Sequence, residues 1–225
     1  MVSHRNRALI VLIGLFTLIS GVLVWSFIFE NQAFFEIGTH PVAIVPPPPP
    51  PSLPEIRSSD PSRGSVDSKA VTIVEFADYS CLYCRLMEPE IEQVVSDKSM
   101  NVRVVWRDLP VANENPDGLI SALAGRCAAK QNRFWEMHDA MFASPRLDFA
   151  SIRKIASGIQ MDQTTFGQCV RLGQPMKDIG LDVALAKKNN ITGSPTLFVG
   201  DQLVDGFVST DELKAIIAEV RRRAP

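Results

Sequence analysis

The apolar positions of this chain fall into three regimes. From Ala8 to Phe29 they run almost unbroken, and ALIVLIGLFTLISGVLVWSFIF is 22 residues without a charge. As a helix that run is about 33 Å long at ~1.5 Å per residue, enough for a hydrocarbon core of about 30 Å. Arg5 and Arg7 precede it and Glu30 follows. The pattern predicts a transmembrane signal anchor over 8–29, a cytoplasmic N-terminus over 1–7 and export of the remainder. A cleaved signal peptide is the alternative, but its apolar region runs about 7–15 residues and ends at a small-residue site. The following ENQAFFEIG offers no clean site of that kind.

The second regime, 30–65, has no apolar period. It holds six consecutive prolines, Pro46 to Pro51, and then SLPEIRSSDPSRGS. Polyproline is extended at about 3.1 Å per residue, so these six make a stiff spacer of about 19 Å.

The third regime, 66–225, alternates strand and helix periods. Val71 to Phe76 (VTIVEF) reads as a buried strand, and a helix over about Cys81 to Asp97 carries Leu86, Met87, Ile91, Val94 and Val95. Val102 to Trp106 (VRVVW) is a second strand, which completes a βαβ unit with parallel strands. A helical block fills about 113–190. Thr196 to Val199 and Leu203 to Phe207 then form a hairpin around Gly200, Asp201 and Gln202. Ser209 and Glu212 make a capping box for a last helix whose apolar face is Leu213, Ile216, Ile217 and Val220. The fold class expected is α/β with a helical insertion, in one domain over 66–225.

Composition changes this picture little. The net charge of −2 over 225 residues gives no argument for nucleic acid, and the only basic cluster is Arg221 to Arg223 at the negative end of the last helix. No cofactor motif is present.

The cysteines change it more. Cys81-Leu82-Tyr83-Cys84 falls between the first strand and its helix. A structural disulfide there would close too short a loop to stabilise much. A zinc site would need a second ligand pair, and His4, His40 and His138 are scattered. A redox dithiol fits the βαβ context. Cys81 in the first turn meets unsatisfied backbone N–H groups and the positive end of the helix dipole, which lowers a thiol pKa. Cys84, one turn deeper, is the buried partner. A lone His138 on an amphipathic helix reads as a satisfied or exposed structural residue. Glu75, alternating with Val71 and Ile73, reads as a buried carboxylate with a raised pKa.

Several of these segments together resemble the DsbA-like thioredoxin family, in its anchored or secreted bacterial branch. They are VTIVEFADYSCLYC, Pro89, RCAAKQNRFWEMHDAMF and TGSPTLFVG, in order and at matching spacing from Val71 onward. The resemblance implies a thioredoxin-like fold and thiol:disulfide oxidoreductase activity through Cys81 and Cys84. It further implies a cis Pro195 that helps bind substrate backbone, a Ser194 that tunes redox behaviour, and Glu75 as a proton shuttle. Leu82 and Tyr83 would face the substrate. They stand where many oxidising relatives have Pro and His, so the direction of electron flow stays open between oxidase and reductase or isomerase. A thiolate carrier of Cu(I) is a reading from a different class. The partners implied are exported cysteine-containing clients on the extracytoplasmic (periplasmic) side of the cytoplasmic membrane, and a membrane redox partner of DsbB or VKOR type. Cys127 and Cys169 are a leftover even pair, either a structural disulfide in an oxidising compartment or two buried thiols.

Overall fold

A computed structural model describes residues 20–26, 53–110 and 115–223. Residues 20–26 are helical, and the rest of the expected anchor over 8–29 lies outside the described residues. Among the described residues no helix is long and apolar enough to cross a membrane. The chain divides into two units, 1–48 and 49–225, and the second carries the fold.

Among the described residues five strands form one sheet: β1 (Ser62–Gly64), β2 (Val71–Ala77), β3 (Val102–Asp108), β4 (Thr196–Val199) and β5 (Gln202–Asp205), in the order β1-β3-β2-β4-β5. β2 and β3 run parallel, from Val71 opposite Val102 to Ala77 opposite Asp108, and the other pairings are antiparallel. β1 lies in the segment that the prolines suggested was spacer, so the folded unit takes in residues upstream of 66. β5 starts one residue earlier and ends two earlier than expected. Gly206, at φ +85°, turns the chain away after Asp205 and its N–H bonds the Pro195 carbonyl.

Every residue of β2 is buried, as a strand covered on both faces requires. On one face Val71 and Ile73 join Val102, Val104, Leu197 and Val199 beneath helices α1 (Leu82–Ser96) and α7 (Thr210–Arg223). On the other, Val74, Phe76, Val105 and Phe198 meet Ala186 of α6 (Met176–Lys188). The capping box of α7 is formed: Ser209 N–H donates to Glu212 Oε2 at 2.8 Å.

Between β3 and β4 the insertion packs α2 (Pro116–Ala129), α3 (Phe134–Ala143), α4 (Phe149–Gly158) and α5 (Gln163–Arg171) ahead of α6. α2 is the inner helix, buried from Ser121 to Ala128. Cys127 of α2 and Cys169 of α5 are joined by a disulfide across 42 residues. Closing a loop of that size removes unfolded-state freedom worth about 4 kcal/mol in the chain-entropy picture.

The insertion is tied to the sheet by buried charge. Asp182 of α6 accepts from Arg107 Nη1 of β3 at 2.9 Å and from Arg126 Nη2 of α2 at 2.6 Å, and Arg57 also reaches it. Arg107 pairs in turn with Asp60, and Arg126 with Asp108. Three guanidinium groups thus face three carboxylates, and β3, α2 and α6 plus the segment before β1 meet at one balanced cluster. Removing one partner of such a pair strands the rest without solvent, at about 3–5 kcal/mol. Asp182→Ala should therefore lower the urea-unfolding free energy by about that much. Glu219→Ala, whose pairs with Arg222 and Arg223 lie on the surface, should change it by about 0.5 kcal/mol or less. Equal effects would contradict this account of the cluster.

Candidate active site

The site is built where β2 ends and α1 begins. Asp78 turns the chain: its Oδ1 accepts from Ser80 N–H at 2.7 Å and from Ser80 Oγ at 2.8 Å, and its carbonyl accepts from Cys81 N–H. The start of α2 sits hard against this turn. A Cβ on Gly118 would lie 2.6 Å from Asp78 Oδ2, so only glycine lets the helix approach so closely.

Cys81 is the N-cap of α1, in extended conformation, and its sulfur accepts from Cys84 N–H at 3.2 Å. Sulfur takes the place that a Ser, Thr or Asp oxygen usually fills at this position. The Cys81 Sγ also lies 3.4 Å from the Ser194 carbonyl oxygen, to which it donates when it carries its proton. The Ser194–Pro195 bond is cis. The Cys81–Ser194 contact sets the loop before β4 against the first turn of α1.

These surroundings push the two thiols apart. Cys81 is lowered to about 6, first by the hydrogen bond from the Cys84 thiol, with burial opposing and the Ser194 side chain and the backbone of Cys84 and Tyr83 assisting. Cys84 is fully buried, and burial drives its pKa strongly upward. One sulfur is a thiolate at neutral pH and the other holds its proton. Leu82 and Tyr83 project outward, 64% and 60% exposed, with Leu86 beside them, and they make an apolar rim around Cys81.

Glu75 is 1% exposed, on the same face of β2 as Ile73 and Ala77 and hence beneath α1. Its pKa is raised well above the carboxylate range, chiefly by burial and then by the nearby Glu88 carboxyl, with Arg63 opposing. The Cys81 charge acts on it too. Cys81, Cys84, Glu75, Ser194, Pro195, Leu82 and Tyr83 therefore gather at one end of the sheet. The cysteines of the insertion do not join them, being bonded to each other.

Two further buried titratable residues, Glu88 and His138, stand near Glu75. Glu88 follows Cys84, Met87 and precedes Ile91 on the buried face of α1, so an acid at that position of the apolar stripe was the available signal. His138, expected to be satisfied or exposed, is fully buried, and its Nε2 has no hydrogen-bond partner. It stands 3.4 Å from Glu88 Oε1. Its neighbours Phe134, Met137, Met141 and Phe142 are the core face of α3, and a histidine in that stripe was the sign.

The geometry allows nucleophilic attack by Cys81 on a disulfide, or attack on Cys81 by an incoming thiolate, with Cys84 as second sulfur. Alkylation by iodoacetamide should test it. The rate at Cys81 should rise with pH about a midpoint near 6, and Cys84 should stay unmodified while the protein is folded. By linkage the depressed pKa stabilises the folded dithiol form above the unfolded value of about 8.5, and that gain is lost as pH falls through about 6. A midpoint near 8.5 would mean that the donors around Cys81 do not act on it.

Comparisons with known proteins agree with this fold. The family model described as thioredoxin matches residues 58–219. A thioredoxin-like oxidoreductase from Silicibacter pomeroyi superposes with a TM-score of 0.68 at 29% identity, over 75% of this chain and 95% of that one. Disulfide bond formation protein D of Bacillus subtilis is 27% identical over 174 residues, 67% of this chain and 72% of that protein. The Na(+)/H(+) antiporter NhaA 3 of Salinispora tropica is 33% identical over 162 residues, 70% of this chain but 25% of that protein. The chain thus spans about a quarter of the length of the antiporters it matches. With the strand order, the CxxC at the start of α1 and the family match over most of its length, the chain belongs to the thioredoxin family.

Proposed function

We propose that this protein is an extracytoplasmic thiol:disulfide oxidoreductase that passes the Cys81–Cys84 disulfide to exported client proteins. The observation that carries the reading is the opposed pair of thiols: a half-buried Cys81 lowered to about 6 beside a buried Cys84 raised far above its usual value. A low-pKa thiolate is a good leaving group and stabilises the reduced form, which favours giving disulfides away.

Cys81 is the sulfur that exchanges with clients and Cys84 the one that resolves the mixed disulfide. The exposed Leu82, Tyr83 and Leu86 supply an apolar contact for an unfolded segment, and the loop at Ser194 and Pro195 lies where its backbone would pass. Glu75 serves Cys84 as proton donor and acceptor, since burial raises the pKa of its carboxyl and favours the protonated form. The 22-residue apolar run over 8–29 supports membrane anchoring with this domain outside. An anchored donor of disulfides needs a membrane acceptor of DsbB or VKOR type to be oxidised again. The name of the Bacillus subtilis relative, a disulfide bond formation protein, supports the same direction. Reductase or isomerase action is the second reading, favoured by Leu82 and Tyr83 in place of the Pro and His of many oxidising relatives.

Trapping tests the roles. Cys84→Ala should accumulate mixed disulfides between Cys81 and exported proteins, visible as reducible high-mass bands, and Cys81→Ser should give none. Equal trapping by both variants, or by neither, would remove the dithiol from the mechanism.

A further inference from the structure

Helix α6 has two unlike sides. Toward the protein it buries Ile179, Asp182 and Ala186, against the insertion core, the charge cluster and the sheet. At ~100° per residue the positions opposite them are Lys177, Gly180, Leu181, Ala184, Lys187 and Lys188, and every one is exposed. Met176 and Val183 border this outer face at 46% and 40% exposure, and Leu172, just ahead of the helix, is 72% exposed. The face holds three lysines and no acid. Asp178, the acid nearest to it, lies half-buried on its flank.

The order of these residues carries more than their number. Lys177, Leu181, Ala184 and Lys188 stand at i, i+4, i+7 and i+11 and so fall on one line. An apolar centre thus has an ammonium group at each end, the two about 16 Å apart at ~1.5 Å per residue. A protein partner would need an acid matched to each end. A bilayer surface offers anionic phosphates at every point and acyl chains just beneath them, and lysines reach from the one layer while apolar side chains enter the other.

The path of the chain brings this side of the domain near a membrane. The described part of the fold begins at Leu53. Ile56 then packs with Leu185, Ala186 and Ile191, and Arg57 pairs with Asp182, so the entering segment lies along the flank of α6 next to Leu181. Residues 30–52 separate it from the apolar run over 8–29.

We propose that the lysine-bracketed outer face of α6 is a docking surface for anionic phospholipid headgroups, which holds the domain side-on to the membrane. The inference rests on the anchoring and export in the reading above, and adds to it how the domain lies. Three lysines attract a free protein only weakly, but a tether keeps the surface close and raises its effective concentration. The dithiol stays clear of the lipid. α1, with Cys81 at its start, and α7 cover the opposite face of the sheet from α6, so Cys81, Leu82 and Tyr83 remain open while α6 is docked.

The test is acetylation of the lysines of the full chain in nanodiscs by an uncharged N-hydroxysuccinimide ester, read peptide by peptide in a mass spectrometer. Discs of phosphatidylcholine are compared with discs of an equimolar mixture with phosphatidylglycerol. In the anionic discs Lys177, Lys187 and Lys188 should react about fivefold more slowly than in the neutral ones. Lys214, exposed on α7, should react equally in both. Sodium chloride at about 0.5 M should remove the protection. Lys177→Glu combined with Lys188→Glu should return Lys187 to its neutral-disc rate, and a Lys187 still protected in that variant counts against the proposal. Discs that retain the chain but give equal rates in both lipids overturn the docking and leave the anchor intact. A chain that separates from the discs on size exclusion overturns anchor and docking together. Protection that appears in detergent and grows with protein concentration assigns the face to a second copy of the chain, and overturns the lipid.

Discussion

A hydrogen bond from a backbone N–H to a sulfur organises the active end of this molecule. Because Cys81 caps α1, the Cys84 N–H that a helix must satisfy somewhere is satisfied by the thiol itself. The cap, the lowered pKa and the placement of the second cysteine are one arrangement. β2, buried along its whole length, aims the chain into that first turn. Asp78 bends it, and Gly118 lets the insertion close over the bend. The loop at Ser194 completes the arrangement from the other side of the sheet order, since β4 pairs with β2.

The insertion serves the site through packing and through charge. Trp106 at the end of β3 stacks with Tyr79, and both touch His138 and Phe142. The aromatic contact excludes water from the groups beneath Cys84. The cluster around Asp182 fixes α2 and α6 to β3 at the same time, and the Cys127–Cys169 bond holds α2 to α5. Burial of Glu75, on which its raised pKa depends, thus requires elements distant in sequence to dock correctly.

The alternation of periods was enough to read β2, β3, the helical block, the hairpin and the capping box of α7, because those signals are local. The position of Cys81 at a helix start followed from the same local reasoning. β1 was hidden because Ser62-Arg63-Gly64 has no apolar character, and an edge strand paired on one side needs little. The Asp182 cluster was hidden because its members, Arg57, Asp60, Arg107, Asp108, Arg126 and Asp182, look like ordinary surface charges until the fold converges them. Glu75 was legible as an acid inside an apolar strand. Glu88 and His138 carried the same signal on helices, where a polar residue in a core stripe is common enough to pass as structural.

The central claim is that the groups around Cys81 hold it as a thiolate and so make the Cys81–Cys84 disulfide one that is readily given away. Its reduction potential, measured by equilibration with glutathione, tests this most directly. Strong oxidants of this chemistry lie near −120 mV and thioredoxin near −270 mV. The account predicts a value above about −195 mV, on the oxidant side of that interval. A value near −270 mV would mean that the thiolate is not stabilised where it matters, and that electrons flow the other way.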